Sequence, residues 1–230
     1  IRFEFTTGDA AGHNMVTQAS DQLMHWLLKR HPELDYVSVS GNFCVDKKNS
    51  AVNGILGRGK NYVTEMLIPK AVCTDVLKTS AKQIADLNYK KNYIGSVIAG
   101  SLRSANAHYA NILLAFYLAT GQDAANIVEG SQGFTYAEDR EGDLYFSCTI
   151  PNIIVGTVGM GKDLDFVQDN LREMGCLDKR APGDNARRLG ALCAATITCC
   201  ELSLLAALTN PGELMRAHRL FEREHGAIKP

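Results

Sequence analysis

Residues 184–208 read DNARRLGALCAATITCCELSLLAAL, a run that is apolar on most faces of a helix. A helix that is apolar nearly all round is typically buried in the core of its domain. The run therefore predicts a long core helix that ends before Pro211, with a short helix carrying His218 beyond it. Residues 95–120 are rich in alanine and other small or apolar residues and stop at Gly121, which predicts a second long, closely packed helix.

Short alternating segments elsewhere predict β-strands. Residues 61–68 alternate and end at Pro69, and a helix is predicted from residue 71 to about residue 87. Further strands are predicted around the charged tip EDREGD, at residues 134–136, 144–150 and 153–155. Together these segments predict an α+β fold, in which a large mixed domain with antiparallel strands surrounds a long buried central helix.

The first forty residues have a different pattern. Residues 1–5 alternate as a strand, GDAAGHNM then opens an amphipathic helix, and residues 36–40 alternate as a second strand. The pattern predicts that residues 1–39 form the tail of a small α/β domain. Residues 40–50 form a polar connecting loop, and residues 51–230 form the large domain.

The composition excludes several classes of function. Hydrophobic residues make up 46% of the chain and charged residues 21%, values typical of a soluble globular protein. A formal net charge of -1 argues against nucleic acid and anionic membrane surfaces as partners. No stretch reaches the roughly 18 uninterrupted apolar residues of a membrane span. The seven cysteines include no C-x-x-C pair and predict buried thiols in a reducing, cytoplasmic compartment.

Three motifs combine residue types that carry chemistry. GDAAGHNM lets the backbone approach a pyrophosphate at a helix N-terminus, although a structural turn explains its glycines about as well. SGNFCVDKK, residues 40–48, is either a solvated charged loop or a site. In GQDAAN, Asp123 follows the end of a predicted helix, where a carboxylate gains nothing from the helix dipole. That position favours pairing Asp123 with a lysine.

The histidines and cysteines give weaker signals. His108 and His218 each lack a second histidine at metal-ligand spacing, so no metal site is predicted. Either side chain is by default a surface histidine or a satisfied core histidine. Cys44 lies in a candidate active-site loop, but no paired histidine that would activate it as a nucleophile is evident.

The order of these motifs, with GRGK, NAHYANI, IPNIIVGTVG and ELSLLAAL among them, resembles that of 3-hydroxy-3-methylglutaryl-coenzyme A (HMG-CoA) reductase over nearly the whole chain. SGNFCVDKK with GQDAAN resembles the class I branch. The resemblance implies an NADPH-dependent oxidoreductase of the mevalonate pathway. Such an enzyme reduces (S)-HMG-CoA by four electrons to (R)-mevalonate and free coenzyme A. It also implies a homodimer or dimer of dimers with active sites shared between subunits.

The resemblance implies catalytic and binding roles for individual residues. It implies that Lys47, Asp123 and His218 are catalytic. The implied NADP-binding residues are Asp9, Ala10, Ala11, Gly12, His13, Asn14, Met15, Val16 and Thr17. The implied substrate-binding residues are Ser40, Asn42, Asp46, Lys48, Lys91, His108 and Asn111, with Val76, Leu77 and Lys78 at coenzyme A. The small domain then corresponds to the end of an NADP-binding domain, and the large domain to a substrate-binding and dimerisation domain.

The chain also departs from the family pattern. Ala11 and His13 replace the usual methionines of the cofactor loop, and Met160 and Lys162 stand where animal enzymes have glycine and threonine. Glu224 occupies the position of a regulatory phosphoserine, so control by phosphorylation is not expected there.

The segment that carries the family's catalytic glutamate is expected to precede the first residue, together with most of the small domain. Whether a membrane anchor lies further upstream is left undecided by the sequence. The isolated chain is therefore expected to turn over little substrate. An alternative is a non-catalytic fragment or degenerate dimerisation module of the same family. A different coenzyme A enzyme, such as a thiolase or lyase, would need the reactive cysteine that the sequence does not support.

Overall fold

A four-stranded mixed sheet forms the centre of the protein, for which the computed structural model describes residues 1–220. The strands are β1 (Lys60–Ile68), β2 (Ser104–Ala105), β3 (Gly133–Arg140) and β4 (Asp143–Ile153). Their order is β1-β4-β3-β2; β4 pairs antiparallel with both β1 and β3, and the short β2 pairs parallel with β3. Glu141 and Gly142 both have positive φ at the β3–β4 turn, as a tight hairpin requires.

The chain forms ten α-helices within residues 1–220. They are α1 (His13–Arg30), α2 (Ala51–Leu56), α3 (Lys70–Asp75), α4 (Ala81–Leu87), α5 (Ser96–Ile98), α6 (Tyr109–Ala119), α7 (Ile127–Gly130), α8 (Asp165–Glu173), α9 (Asp184–Thr209) and α10 (Glu213–His218). A π-helical stretch, Asn88–Gly95, joins α4 to α5, and a 3₁₀ turn, Ala124–Asn126, leads into α7.

The core lies between the sheet and the helices α6 and α9. Tyr109 and Tyr117 of α6, Phe146 of β4 and Ile197 of α9 are all fully buried in it. Gly190 lets α9 approach β1 closely, since a Cβ there would lie 2.7 Å from the Tyr62 ring. The α+β prediction and the long buried helix of residues 184–208 are thus both confirmed.

Two of the predicted helices are wrong in extent. The helix predicted over residues 71–87 is divided into α3 and α4, because Lys78 adopts a left-handed φ of 56° and Ser80 caps α4 through the Gln83 N–H. The helix predicted over residues 95–120 is also divided. Gly100 and Arg103 have positive φ there, and the chain pairs as β2 before α6 begins.

The N-terminal region differs most from the sequence prediction. Residues 1–5 and 36–40 are not strands, because neither segment finds a partner strand among residues 1–220. The predicted helix is present as α1, yet none of its residues is buried, and Met15 and Trp26 of its apolar side are more than half exposed. Contacts with the described residues therefore leave the apolar side of α1 largely uncovered.

The loop before α1 is nevertheless tied to the large domain. Ala10 forms a parallel bridge with Val158, and the Thr157 N–H donates to the Asp9 carbonyl at 2.8 Å. A Cβ at Gly156 would lie 2.3 Å from the Ala11 nitrogen, so glycine is needed for this close approach. The segment around Val158 in turn lies against Gln122, whose side chain exchanges two hydrogen bonds with Gly156.

Two composition-based expectations can be compared with the structure. Cys73, Cys148, Cys176 and Cys193 are buried as expected, whereas Cys44 and Cys199 are exposed. Within residues 1–220, α9 is the one helix long and apolar enough to cross a membrane by length and composition. Its packing on β1 and β4 identifies it as the core helix of this fold. Glu224 lies outside the described residues.

Candidate active site

The loop of residues 40–50 leads into α2 in an irregular conformation. Asn42, Val45 and Lys47 have φ values of 59°, 46° and 57°, which are uncommon for residues other than glycine. The buried Asn53 side chain holds the loop by donating to the Val45 and Lys48 carbonyls at 2.9 and 3.3 Å. Strained backbone of this kind persists where the surrounding structure imposes it, and it is common at functional sites.

Lys47 and Asp123 form an ion pair across this loop. The Lys47 Nζ lies 2.8 Å from the Asp123 Oδ2, with both side chains partly exposed. Asp123 comes from the turn after α6, where Gly121 has a φ of 62°. The other Asp123 oxygen accepts from the Ala125 N–H at 3.0 Å, so this carboxylate also caps the 3₁₀ turn that follows. Asp123 thus has the lysine partner that its position after the end of α6 predicted.

The ion pair keeps both of its members charged. The hydrogen bond to Asp123 raises the pKa of Lys47 above its ordinary value, against the opposing effect of burial. The charges of Asp123, Asp46 and Glu129 raise it further. Burial raises the pKa of Asp123, but the hydrogen bonds from Lys47 and the Ala125 N–H lower it, and its pKa is lowered overall. A cationic donor is thus held at the surface of the site at neutral pH.

Asp46 lies on the other side of Lys47 and belongs to a second set of contacts. Its Oδ1 accepts from Arg58 at 2.7 Å and from the Asn126 side chain at 3.0 Å. The Nε2 of His13, the first residue of α1, lies 3.8 Å from the same oxygen. Asp46 therefore connects the loop before α1 with the loop that carries Lys47.

Glu129 is a buried residue of this cluster that sequence reasoning missed, together with Arg58 and Asn126. Its side chain is fully buried, and its Oε1 accepts from the Lys47 N–H at 3.1 Å, from Arg58 Nε at 3.3 Å and from the Asn126 side chain at 2.8 Å. The available signal was one carboxylate in an otherwise uncharged stretch, residues 124–132. Charged residues are rarely buried without a partner, so that signal became informative only once the fold was known.

The predicted cofactor loop divides into an anchoring part and an open part. The carboxylate of Asp9 accepts from the Gly183 and Ala186 N–H groups at 2.7 and 2.9 Å, and Ala10 is buried. Gly12 stands at the N-cap of α1 with a φ of 88°, and no side chain caps this helix end. The residues from Gly12 onward therefore present the uncapped N-terminus of an 18-residue helix, which suits a phosphate group.

The GTVGMGK segment connects this loop to Asp123. Lys162 is buried, and its amine donates to the carbonyl of Gly121, two residues before Asp123. Burial lowers the pKa of Lys162. Gly121 must be glycine here, because a Cβ would lie 2.3 Å from the Gly161 carbonyl oxygen. Lys162 thus joins the GTVGMGK segment to the turn that carries Asp123.

The predicted substrate residues lie in several places. Ser40, Asn42 and Lys48 share the loop of Lys47, and the Lys48 amine donates to the Asp46 carbonyl at 3.0 Å. Lys91 is exposed on the π-helical stretch, a type of helix often found at functional sites, and Asn111 is exposed on α6. The imidazole of His108 is instead bound to α9, with its Nε2 3.0 Å from the Cys200 carbonyl oxygen.

The remaining predicted residues lie beside the C-terminal end of α9. Val76, Leu77 and Lys78 line a shallow groove with α9 and α10, to which Glu213 and Arg216 contribute charged side chains. His218 is exposed at the end of α10. No group of three or more His, Cys, Asp or Glu side chains within residues 1–220 could hold a metal ion.

Comparison with known proteins gives a consistent match. The family model described as hydroxymethylglutaryl-coenzyme A reductase matches residues 1–223. The chain is 47% identical to the 3-hydroxy-3-methylglutaryl-coenzyme A reductase of Pyrococcus abyssi, over 97% of this chain and 55% of that protein. The proteins of the same name from Aeropyrum pernix and Xenopus laevis are 44% and 43% identical, over 54% and 26% of their lengths. The chain thus spans about half the length of the archaeal relatives that it matches.

Proposed function

The chain belongs to the hydroxymethylglutaryl-coenzyme A reductase family, and on that premise we propose that its protein reduces HMG-CoA to mevalonate and free coenzyme A with NADPH. The observation that carries the proposal is the Lys47–Asp123 ion pair at 2.8 Å. It places a protonated amine on a partly exposed loop, where a carbonyl group of a substrate can reach it. Reduction of a thioester to an alcohol passes through two carbonyl reductions, and each develops negative charge on oxygen.

In this proposal Lys47 stabilises that negative charge in both steps. A preorganised cationic donor at a developing oxyanion contributes on the order of 3 to 4 kcal/mol to transition-state stabilisation. Asp123 keeps the amine charged and oriented, as the raised pKa of Lys47 indicates. The first reduction gives a hemithioacetal oxyanion. Its collapse breaks the C–S bond and leaves mevaldehyde and the coenzyme A thiolate, which His218 protonates. An ordinary imidazolium, with a pKa of about 6.5, can protonate a thiolate whose conjugate acid has a pKa of about 8.5.

The cofactor proposal rests on the open end of α1. NADPH supplies the hydride when it is bound. Ala11, Gly12, His13 and Asn14 would hold its pyrophosphate at the uncapped helix N-terminus, with Met15 to Thr17 on the first turn of the helix beside it. Asp9 and Ala10 would position this loop rather than contact the cofactor, because their polar groups are already bound to α9 and to the segment around Val158.

The substrate would lie along the loop of residues 40–48. Ser40, Asn42, Asp46 and Lys48 would hold the hydroxymethylglutaryl group, and Lys91, His108 and Asn111 would complete its site. The groove beside Val76, Leu77 and Lys78 would take coenzyme A, since it combines apolar walls with the charges of Lys78 and Arg216. We further propose a cytoplasmic homo-oligomer. Exposed apolar side chains on β1 and α5, such as Val63 and Val97, would be covered by a second subunit.

The test compares two adjacent lysines in the intact protein. Lys47→Ala should lose at least about 100-fold in kcat for both HMG-CoA and mevaldehyde, because both reductions need the same cation. Lys48→Ala removes the same charge one residue away and should mainly raise the KM for HMG-CoA. Oxidation of NADPH, followed by absorbance, gives both constants. Wild-type kcat in Lys47→Ala would refute the proposal, and an intact wild-type protein that turns over neither substrate would favour the non-catalytic alternative.

A further inference from the structure

We infer that Glu129 is a positioning residue for Lys47, holding the lysine peptide in its left-handed conformation so that the amine faces Asp123 and the substrate. The inference rests on the proposed role of Lys47 and deepens it. Glu129 itself is fully buried, so it acts through Lys47 rather than on the substrate.

The backbone of Lys47 needs such a support. A φ of 57° is unfavourable for lysine, and the N–H of that residue points into the protein, where Glu129 accepts it at 3.1 Å. Without an acceptor, this partly buried donor would favour a different peptide orientation. A change in the peptide orientation would swing the side chain away from Asp123. The buried carboxylate therefore fixes where the amine can reach.

Glu129 also shares two hydrogen-bond donors with Asp46, the residue before Lys47. Arg58 and Asn126 each donate to Glu129 and also to Asp46. The cluster of Asp46, Asp123 and Glu129 with Arg58 and Lys47 thus contains three carboxylates and two cations. This excess of negative charge favours the protonated form of Lys47, to which the charge of Glu129 contributes directly.

A comparison with Glu201 distinguishes this role from ordinary core packing. Glu201 is also fully buried, and both of its oxygens accept hydrogen bonds, from the N–H groups of Ala107 and His108 and from Thr135. All three bonds to Glu129 converge on Oε1, and Oε2 has no hydrogen-bond partner among residues 1–220. A carboxylate needed only for packing would be expected to use both oxygens, as Glu201 does.

The test replaces each buried glutamate with glutamine in the intact protein. Glutamine keeps an acceptor oxygen, but it removes the charge and so weakens the hydrogen bonds that Oε1 accepts from the Lys47 N–H, Arg58 and Asn126. Glu129→Gln should lower kcat on the order of 10- to 100-fold with little change in either KM, since a misplacement of about 1 Å costs up to about 100-fold. The raised pKa of Lys47 means that its protonated form is lost only as the pH rises through that value. Removing the charge of Glu129 should lower the pKa of Lys47, because that charge helps to raise it. The alkaline limb of the kcat profile should therefore move to lower pH.

Glu201→Gln is the matched control and should reduce thermal stability without moving that limb. Wild-type kcat and an unmoved alkaline limb in Glu129→Gln would overturn the inference, as would an equal shift in Glu201→Gln.

If Glu129→Gln does not fold, Glu129→Asp decides instead. It keeps the charge but shortens the reach, so a loss of kcat with an unmoved limb supports positioning, and wild-type kcat refutes it. Lys47→Ala is measured in parallel, because full activity of that variant would refute the proposed function rather than the role of Glu129.

Discussion

Replacing Asp9 with alanine is expected to destabilise the protein by about 2 kcal/mol. The Asp9 carboxylate caps the N-terminus of α9 through two N–H groups, of Gly183 and Ala186, at 2.7 and 2.9 Å. Loss of an N-cap costs about 0.5 to 2 kcal/mol, and loss of a negative charge at a helix N-terminus costs about 0.3 to 1 kcal/mol more. Because this contact also anchors the loop before α1, the KM for NADPH should rise in the same variant.

The matched control for Asp9→Ala is Asp184→Ala. Asp184 lies in the first turn of α9 and pairs with Arg187, so its loss removes a charge near the same helix end without removing the cap. This control should cost no more than about 1 kcal/mol. Urea unfolding of the intact variants, followed by circular dichroism, measures both changes in unfolding free energy. The reasoning is refuted if Asp9→Ala is no less stable than Asp184→Ala.

Two further predictions concern the cofactor loop and the leaving group. Gly156→Ala should raise the KM for NADPH at least about 10-fold, because its Cβ would lie 2.3 Å from the Ala11 nitrogen. Gly95→Ala is the control: its backbone is helical and its Cβ would make only an ordinary contact, 3.6 Å from the Lys90 carbonyl oxygen, so it should have a much smaller effect in the same NADPH titration. His218→Gln should lose about 100- to 10,000-fold in kcat for the thioester but far less for mevaldehyde, which has no thiolate to protonate; equal losses on the two substrates would assign His218 to structure.

The parts of the fold predicted correctly are those in which one local pattern persists over many residues. The apolar run of α9 and the alternation of β1 are of this kind, because burial on a helix or sheet repeats with a fixed period. The strands predicted at 144–150 and 153–155 instead form one strand, β4, which is buried along most of its length and does not alternate. The prediction over residues 95–120 failed because an alanine-rich composition does not reveal left-handed residues. Gly100 and Arg103 turn the chain there, and pairing of β2 with β3 supplies the hydrogen bonds that a longer helix would have made.

The candidate site was predictable where charges are unusual for their local position. Lys47 lies in a charged loop, and Asp123 follows a helix end where its charge favours a lysine partner. The structure brings the two side chains together. Glu129 and Arg58 could not be matched from sequence, because 71 residues separate them and only the sheet and its connections bring them within 3.3 Å. The roles of Asp9 and Lys162 were likewise hidden, since each binds backbone groups of a distant segment.

The Asp9 cap also has a consequence for synthesis on the ribosome. Its two ends, Asp9 and Gly183, are separated by 174 residues of chain. At about 5 to 20 residues per second, roughly 10 to 35 seconds pass between their appearance. During that interval the Asp9 carboxylate has no α9 to bind, so the loop before α1 lacks this anchor. Assembly of the loop before α1 is therefore a late event, which waits for the same helix that completes the core.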